Sequence, residues 1–447
     1  MANDEAIAAI ATPPGRGGIG VVRITGARLE NMLRTLVGID VEPRRATLAD
    51  FRSLDGSVID RGLVLFFPAP HSYTGEDVIE LQGHGGPVIL QLLLKRCLDL
   101  GARLASPGEF TQRAFLNDKL DLAQAESVAD LIDAATTEAA RCAMRSLQGE
   151  FSQRIEEMVQ ALIELRMLVE ATLDFPEEDV EFLREAKAQT KLDRVREQLS
   201  QVIAASRQGS LLREGIYAVI AGQPNVGKSS LLNRLAGSEL AIVTDIPGTT
   251  RDTIRASINL HGVPLYIIDT AGLREPLDPV EKIGISKTWD ALSKADLVLW
   301  VSDATRIETQ TTDPELAARL PAGVAQLRVV NKADLVDGGQ QRQGSAAENQ
   351  ISVSAKTGAG MDFLQSAMLK AVGWRGSDEG VFMARARHLQ ALQAAANHLG
   401  DAAAHVSELE LFAEELRLAQ HALASITGEF TADDLLGEIF SRFCIGK

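Results

Sequence analysis

The apolar positions change their rhythm along the chain. Up to about residue 117, short apolar runs alternate with turn residues. Ile19-Gly20-Val21-Val22-Arg23-Ile24 predicts a strand, and Leu63-Val64-Leu65-Phe66-Phe67 a second, with Asp55-Gly56 as the turn before it. Val88 to Leu100 carries helical spacing that ends at Gly101. From 118 to 212 the pattern is helical and rich in Ala, Leu and Glu, with Pro176 its single proline. Residues 383 to 440 read the same way. Between them, Tyr217-Ala218-Val219-Ile220-Ala221, Ile267-Ile268 and Val329-Val330 are short apolar runs suited to buried parallel strands. Gly209-Ser210 and the stretch from Gly373 to Gly380 bound this middle region. The pattern predicts a mixed α/β and α+β multidomain chain. An α+β domain spans 1–117, and an α/β domain at 213–376 is inserted between helical halves at 118–212 and 377–447.

Composition narrows this. A chain of 447 residues suits about three domains. Only 4% of residues are aromatic, so the cores must be aliphatic. A net charge of −16 argues against broad nucleic-acid binding, which needs a basic surface to displace counterions. Cys97, Cys142 and Cys444 lie far apart and offer neither metal-ligand spacing nor a disulfide framework. No signal peptide or membrane span is expected, which points to a cytoplasmic protein. The last four residues superficially match a prenylation box, but Gly446 and Lys447 fit it poorly.

The chemistry lies in the middle region. Gly222-Gln223-Pro224-Asn225-Val226-Gly227-Lys228-Ser229 follows a strand, and Ser230 to Leu235 opens a helix. Strand, loop and helix in that order mark a phosphate loop. Gly222 and Gly227 let backbone N–H groups turn inward, and the helix N-terminus adds partial positive charge. Lys228 is placed to reach the β- and γ-phosphates, and the Ser229 hydroxyl to bind Mg²⁺. Asp269-Thr270-Ala271-Gly272 ends the next strand with a carboxylate for the Mg²⁺ shell and an N–H for the γ-phosphate. Thr244-Asp245-Ile246-Pro247-Gly248-Thr249-Thr250 reads as a switch segment, in which Thr249 or Thr250 closes over Mg²⁺.

Asn331-Lys332-Ala333-Asp334 is the base station. The Asp334 carboxylate can accept both N1–H and N2–H of guanine, whereas adenine would leave the charge unpaired. Asn331 serves the other edge of the base, and Ser354-Ala355-Lys356 supplies an N–H to guanine O6. Val226, Ser230 and Lys332 complete the contact set. These stations imply a Ras-like GTPase domain that turns GTP into GDP. Leu273, after Gly272, cannot orient water, so that task falls elsewhere; Glu275 and Glu281 are the nearby carboxylates, and spacing does not choose between them.

The phosphate loop with Asn225, the segment from Ala241 to Asp252, and the terminal Phe443-Cys444-Ile445-Gly446-Lys447 resemble the MnmE (TrmE) family of tRNA-modification GTPases. So do Ala11-Thr12-Pro13-Pro14-Gly15-Arg16-Gly17-Gly18, Ser106-Pro107-Gly108-Glu109-Phe110 and the run from Phe115 to Leu122, so the likeness spans the chain. The resemblance implies a K⁺ ion held by Asn225, Thr244, Ile246 and Thr249, which leaves Thr250 with Ser229 for Mg²⁺. A cation there can stand in for an arginine finger, worth about 10³–10⁵ in rate. The resemblance further assigns the water to Glu281, within Val280-Glu281-Lys282-Ile283-Gly284, and implies that the GTPase domains pair during hydrolysis.

Gly15-Arg16-Gly17-Gly18-Ile19-Gly20 fits a dinucleotide fingerprint but precedes a strand, which excludes a Rossmann reading. By resemblance, the N-terminal domain dimerises and binds a tetrahydrofolate one-carbon donor (5-formyl or methylene form) through Arg23, Glu80, Lys119 and Lys447. Cations would suit the glutamyl tail and a carboxylate the pterin edge. Cys444 is a candidate for modification chemistry or an inert thiol. The implied partner of the homodimer is an FAD-containing protein of the MnmG (GidA) type, in a heterotetramer or larger assembly. Together they would add an aminomethyl or carboxymethylaminomethyl group at C5 of the wobble uridine of certain tRNAs. A ribosome-assembly GTPase and a slow signalling switch are the competing readings.

Overall fold

The computed structural model describes residues 5–174, 188–238, 254–269, 293–306, 318, 320–321, 323–336, 350–376, 380–429, 433–441, 443–444 and 446. Two compact units emerge: 1–129 with 147–183 and 404–447, and 130–146 with 184–403.

In the first unit, strands β1 (Ile7–Ile10), β2 (Gly17–Gly26), β3 (Thr47–Arg52), β4 (Val58–Phe67), β5 (Asp77–Gly85) and β6 (Arg103–Leu104) form one sheet in the order β3-β4-β5-β2-β1-β6. All pairs are antiparallel except β1 with β6. Helices α1 (Glu30–Val37) and α2 (Pro87–Asp99) cover it, and the core holds Ile24, Leu36, Phe51, Ile79, Leu81 and Leu93. The strands expected around Ile19–Ile24 and Leu63–Phe67 are β2 and β4, and the helix expected over 88–100 is α2. Gly15 to Gly20 runs into β2 and opens no helix, in line with the excluded Rossmann reading.

Helices α3 (Glu109–Leu116), α4 (Leu122–Ile132), α5 (Thr137–Leu147) and α6 (Glu150–Asp174) follow, then α7 (Ala188–Glu214). Helix α8 (Lys228–Ser238) opens after the phosphate loop, and α9 (Met361–Ala371) lies near the end of the inserted region. Helices α10 (Ala386–Ala404), α11 (Leu409–Thr427) and α12 (Asp433–Ser441) complete the chain. On α11, Phe412, Leu416, Ala419, Leu423 and Ile426 recur every three or four residues and are buried. That stripe packs against α6, where Arg166 donates to Gln420 Oε1 at 2.6 Å.

The second unit contains a sheet in the order β12-β11-β10-β7-β9-β8. Its strands are β7 (Ile216–Ala221), β8 (Ile254–Leu260), β9 (Val263–Asp269), β10 (Leu297–Asp303), β11 (Ala325–Asn331) and β12 (Gln350–Ser352). Only β8 runs antiparallel, against β9. Strands β7 and β10 are almost wholly buried, which is why they read as unbroken apolar runs. Where α7 ends and α10 begins, the buried Asp130 accepts hydrogen bonds from Arg213 Nε at 2.9 Å and Arg385 Nη2 at 2.8 Å.

Candidate functional site

The phosphate loop joins β7 to α8. Gly222 and Gly227 have φ of +147° and +93°. A Cβ on the first would collide with the Val301 carbonyl, and one on the second with Asn331 Nδ2. Both positions therefore require glycine, because the loop turns with positive φ while packed against β10 and Asn331. Asn225 is exposed and left-handed, at φ +65°. Lys228 Nζ curls back to donate to the carbonyls of Gly222 at 2.7 Å and Gln223 at 2.9 Å. Ser229 and Ser230 lie in the first turn of α8, where unpaired backbone N–H groups attract an anion. Val226 is buried in the core.

The residues expected to read the base gather at the ends of β11 and β12. Asn331 is 2% exposed, and its amide reaches both ways. Nδ2 donates to the Val226 carbonyl at 3.0 Å, and Oδ1 accepts from Ala355 N at 3.1 Å. One side chain therefore bolts the phosphate loop to the Ser354-Ala355-Lys356 loop. Ser354 is buried, and its hydroxyl donates to Asp334 Oδ1 at 2.6 Å, which aims the exposed Asp334 carboxylate. Arg234 on α8 donates to the Lys356 carbonyl at 3.2 Å. Lys332, at φ +63°, donates to the Asn225 carbonyl at 2.7 Å and to Asp303 Oδ2 at 2.6 Å.

Sequence reasoning missed Asp303. It ends β10 in register with Asn331, and its signal was the apolar run Leu297 to Val301 that precedes it. The Lys332 ammonium, with the N–H and hydroxyl of Thr305, holds the Asp303 carboxyl down at about 2. Asp269 ends β9 beside Ile220 of β7, so its backbone lies next to the strand that feeds the phosphate loop. Thr244, Asp245, Ile246, Pro247, Gly248, Thr249, Thr250, Thr270, Ala271, Gly272 and Glu281 lie outside the described residues, as do Leu273 and Glu275.

In the first unit, Arg23 and Glu80 face one another across β2 and β5, and both Nε and Nη2 of Arg23 donate to Glu80 Oε1, at 3.0 and 2.8 Å. The Tyr73 ring lies 5.9 Å from the same guanidinium. The Lys119 stem lies against Gly75. Cys444 is exposed, and its carbonyl accepts from Gly108 N at 3.3 Å. Gly446 packs tightly on the Ile10 carbonyl at the end of β1. The tail thus runs back to the sheet that carries Arg23; Lys447 lies outside the described residues. Among the described residues, no cluster of three or more His, Cys, Asp or Glu could hold a metal ion, and no helix is long and apolar enough to cross a membrane.

Residues 122–444 match the model of the MnmE helical domain, and residues 6–119 that of the GTP-binding protein TrmE N-terminus. The tRNA modification GTPase MnmE of Azoarcus sp. (strain BH72) is 59% identical over 443 residues, which is 99% of this chain and 98% of the relative. The chain belongs to the MnmE family of tRNA modification GTPases. The MnmE of Nitrosospira multiformis is also 59% identical, over 100% of both chains, and that of Ralstonia nicotianae is 56% identical over 99% of this chain and 96% of its own. Among solved structures, a point variant of Aquifex aeolicus Era bound to GDP.AlF4- is 26% identical, with a TM-score of 0.28, over 41% of this chain and 66% of its own.

Proposed function

We propose that this MnmE protein binds GTP at the joined phosphate and base loops, hydrolyses it with stimulation by K⁺ as its GTPase domains pair, and uses that cycle in modifying the wobble uridine of tRNA. The observation that carries the reading is the Asn331 amide, which ties the phosphate cradle to the guanine-reading loop and so presents both ends of one nucleotide site. The positive-φ glycine turns at Gly222 and Gly227 suit a loop that wraps phosphates with its backbone, and the Ser354-oriented carboxylate of Asp334 suits the paired donors of guanine.

Lys228 would exchange its two loop carbonyls for the β- and γ-phosphates. Ser229, with Thr250, would hold Mg²⁺, which neutralises charge on the phosphates. Asn225, with Thr244, Ile246 and Thr249, would hold K⁺, which would supply the positive charge that an arginine finger supplies elsewhere. Glu281 is the proposed orienter of the attacking water.

The first unit is the proposed homodimerisation domain and the site for a tetrahydrofolate donor at Arg23, Glu80, Lys119 and Lys447. The Arg23–Glu80 pair suits a ligand with a carboxylate at one end and an amino-pterin edge at the other, since each partner can exchange the other for ligand. The return of the tail to β1 supports a place for Cys444 near the same sheet. An FAD-containing MnmG (GidA) type partner would supply the flavin, and the compartment is the cytoplasm.

The test is steady-state GTP hydrolysis in KCl and in NaCl at equal ionic strength, on the wild type and Asn225→Ala. A potassium-specific acceleration that disappears in the variant is expected. Equal rates in both salts would remove the cation mechanism and favour a switch that awaits an outside activator.

A further inference from the structure

The phosphate loop is held through its own carbonyls. Lys228 takes those of Gly222 and Gln223, Asn331 takes that of Val226, and Lys332 takes that of Asn225. The Asn225 contact differs in origin, because its donor comes from the end of β11 and is itself held by a carboxylate at the end of β10. Asp303 is 5% exposed and anchored from both sides. Thr305 N and Oγ1 donate to Oδ1 at 3.0 and 2.7 Å, which leaves Oδ2 turned toward Lys332 Nζ at 2.6 Å. Lys332 is the adjustable member, with 31% of its side chain exposed against 4% for Asp303.

A neutral carbonyl alone competes poorly with water for an ammonium, whereas a buried carboxylate 2.6 Å away does not. Lys332 and Asn225 both hold left-handed backbones without being glycine, a conformation that persists only where its surroundings fix it. The chain Asp303 to Lys332 to Asn225 provides that fixing. We propose that Asp303 is a positioning residue of the nucleotide site, which sets the phosphate loop by holding the Lys332 ammonium against the Asn225 carbonyl. This rests on the reading of the site as a guanine-nucleotide site. Asp303 has its oxygens committed to Thr305 and Lys332, so it acts through Lys332.

The test is titration of the full chain with a fluorescent N-methylanthraniloyl GDP in KCl and MgCl₂, for wild type, Asp303→Asn, Lys332→Met, the double variant and Thr305→Val. Each of the first two should weaken binding about ten-fold. The double variant should bind no worse than the weaker single, because both changes cut one chain of contacts. Thr305→Val should stay within about two-fold, since the Asp303–Lys332 contact survives it. Losses that multiply to about 100-fold in the double variant, or a ten-fold loss with Thr305→Val, would overturn the proposal as general loosening. Should Asp303→Asn not fold, Lys332→Met carries the test alone, and unchanged affinity overturns it. A wild type that does not bind the analogue removes the nucleotide reading itself, an outcome distinct from additive variants on a binding wild type.

Discussion

Asn331→Ala is the perturbation that best tests whether the site is one preorganised unit. Asn331 is 2% exposed and bonded to the Val226 carbonyl and the Ala355 N–H. Truncation takes that partner from two backbone groups at once. A buried polar group left without its partner costs about 1–3 kcal/mol, less where water enters the space vacated. The sum is about 2–4 kcal/mol, with no nucleotide present. All three tryptophans, Trp289, Trp300 and Trp374, lie in the second unit, so their fluorescence during urea unfolding reports on this unit. The expected result is a loss of about 2–4 kcal/mol in the nucleotide-free protein, together with weaker GDP binding. A side chain that served only the ligand would weaken GDP binding and leave apo stability unchanged. A loss below about 0.5 kcal/mol without nucleotide would therefore refute the bolt, and with it the idea that the two loops are preset before ligand arrives.

Two further outcomes follow from buried charge and thiols. Burial pushes the Glu109 carboxyl up, but Arg103, Ser106 N–H and Arg113 outweigh it and hold it below its ordinary 4.5. A lowered folded value means that the stability it contributes is complete above 4.5 and lost as pH falls through the folded value. Glu109→Gln should flatten the thermal-midpoint profile below pH 4.5, and an unchanged acid slope would dismiss the cluster as a source of stability. Burial also pushes the Cys97 thiol up to about 12, and Cys142 is buried too, while Cys444 is exposed. At pH 8 one thiol should react promptly with Ellman's reagent in the native chain and all three in guanidinium; two prompt native thiols would contradict the packing.

Much of the site was legible because phosphate and guanine chemistry demands particular residues at fixed spacing. Gly222, Gly227 and Lys228 can be read as a phosphate cradle before any coordinates, and so can the strand and helix on either side. Asp334 carries an expectation of the same kind, since a carboxylate suits the paired donors of guanine. The apolar runs of β7 and β9 announced themselves because strands buried on both faces have no polar alternation to hide them, whereas β11, with Gln326 and Arg328 exposed, showed only its Val329-Val330 pair. Strand β10 is equally apolar, yet the residue that matters at its end, Asp303, sits in no motif. Its importance is a matter of neighbours: Thr305 two residues on, and Lys332 just past the end of the next strand.

The sequence by itself determined the local items. These are the family, the parallel-strand character of the inserted region, the glycines where side chains cannot fit, and the charge types suited to phosphate and base. Only the tertiary structure decided which of these groups work together. By its motif the Asn331 amide belongs to the base, and folding places it against a carbonyl 105 residues away in sequence. Nothing in their spacing couples Arg23 to Glu80, and strand register makes them an ion pair across 57 residues. The reason is physical. A residue's type and spacing fix what it can bond, whereas sheet order and register, set by the burial of whole faces, fix what lies within about 3 Å of it.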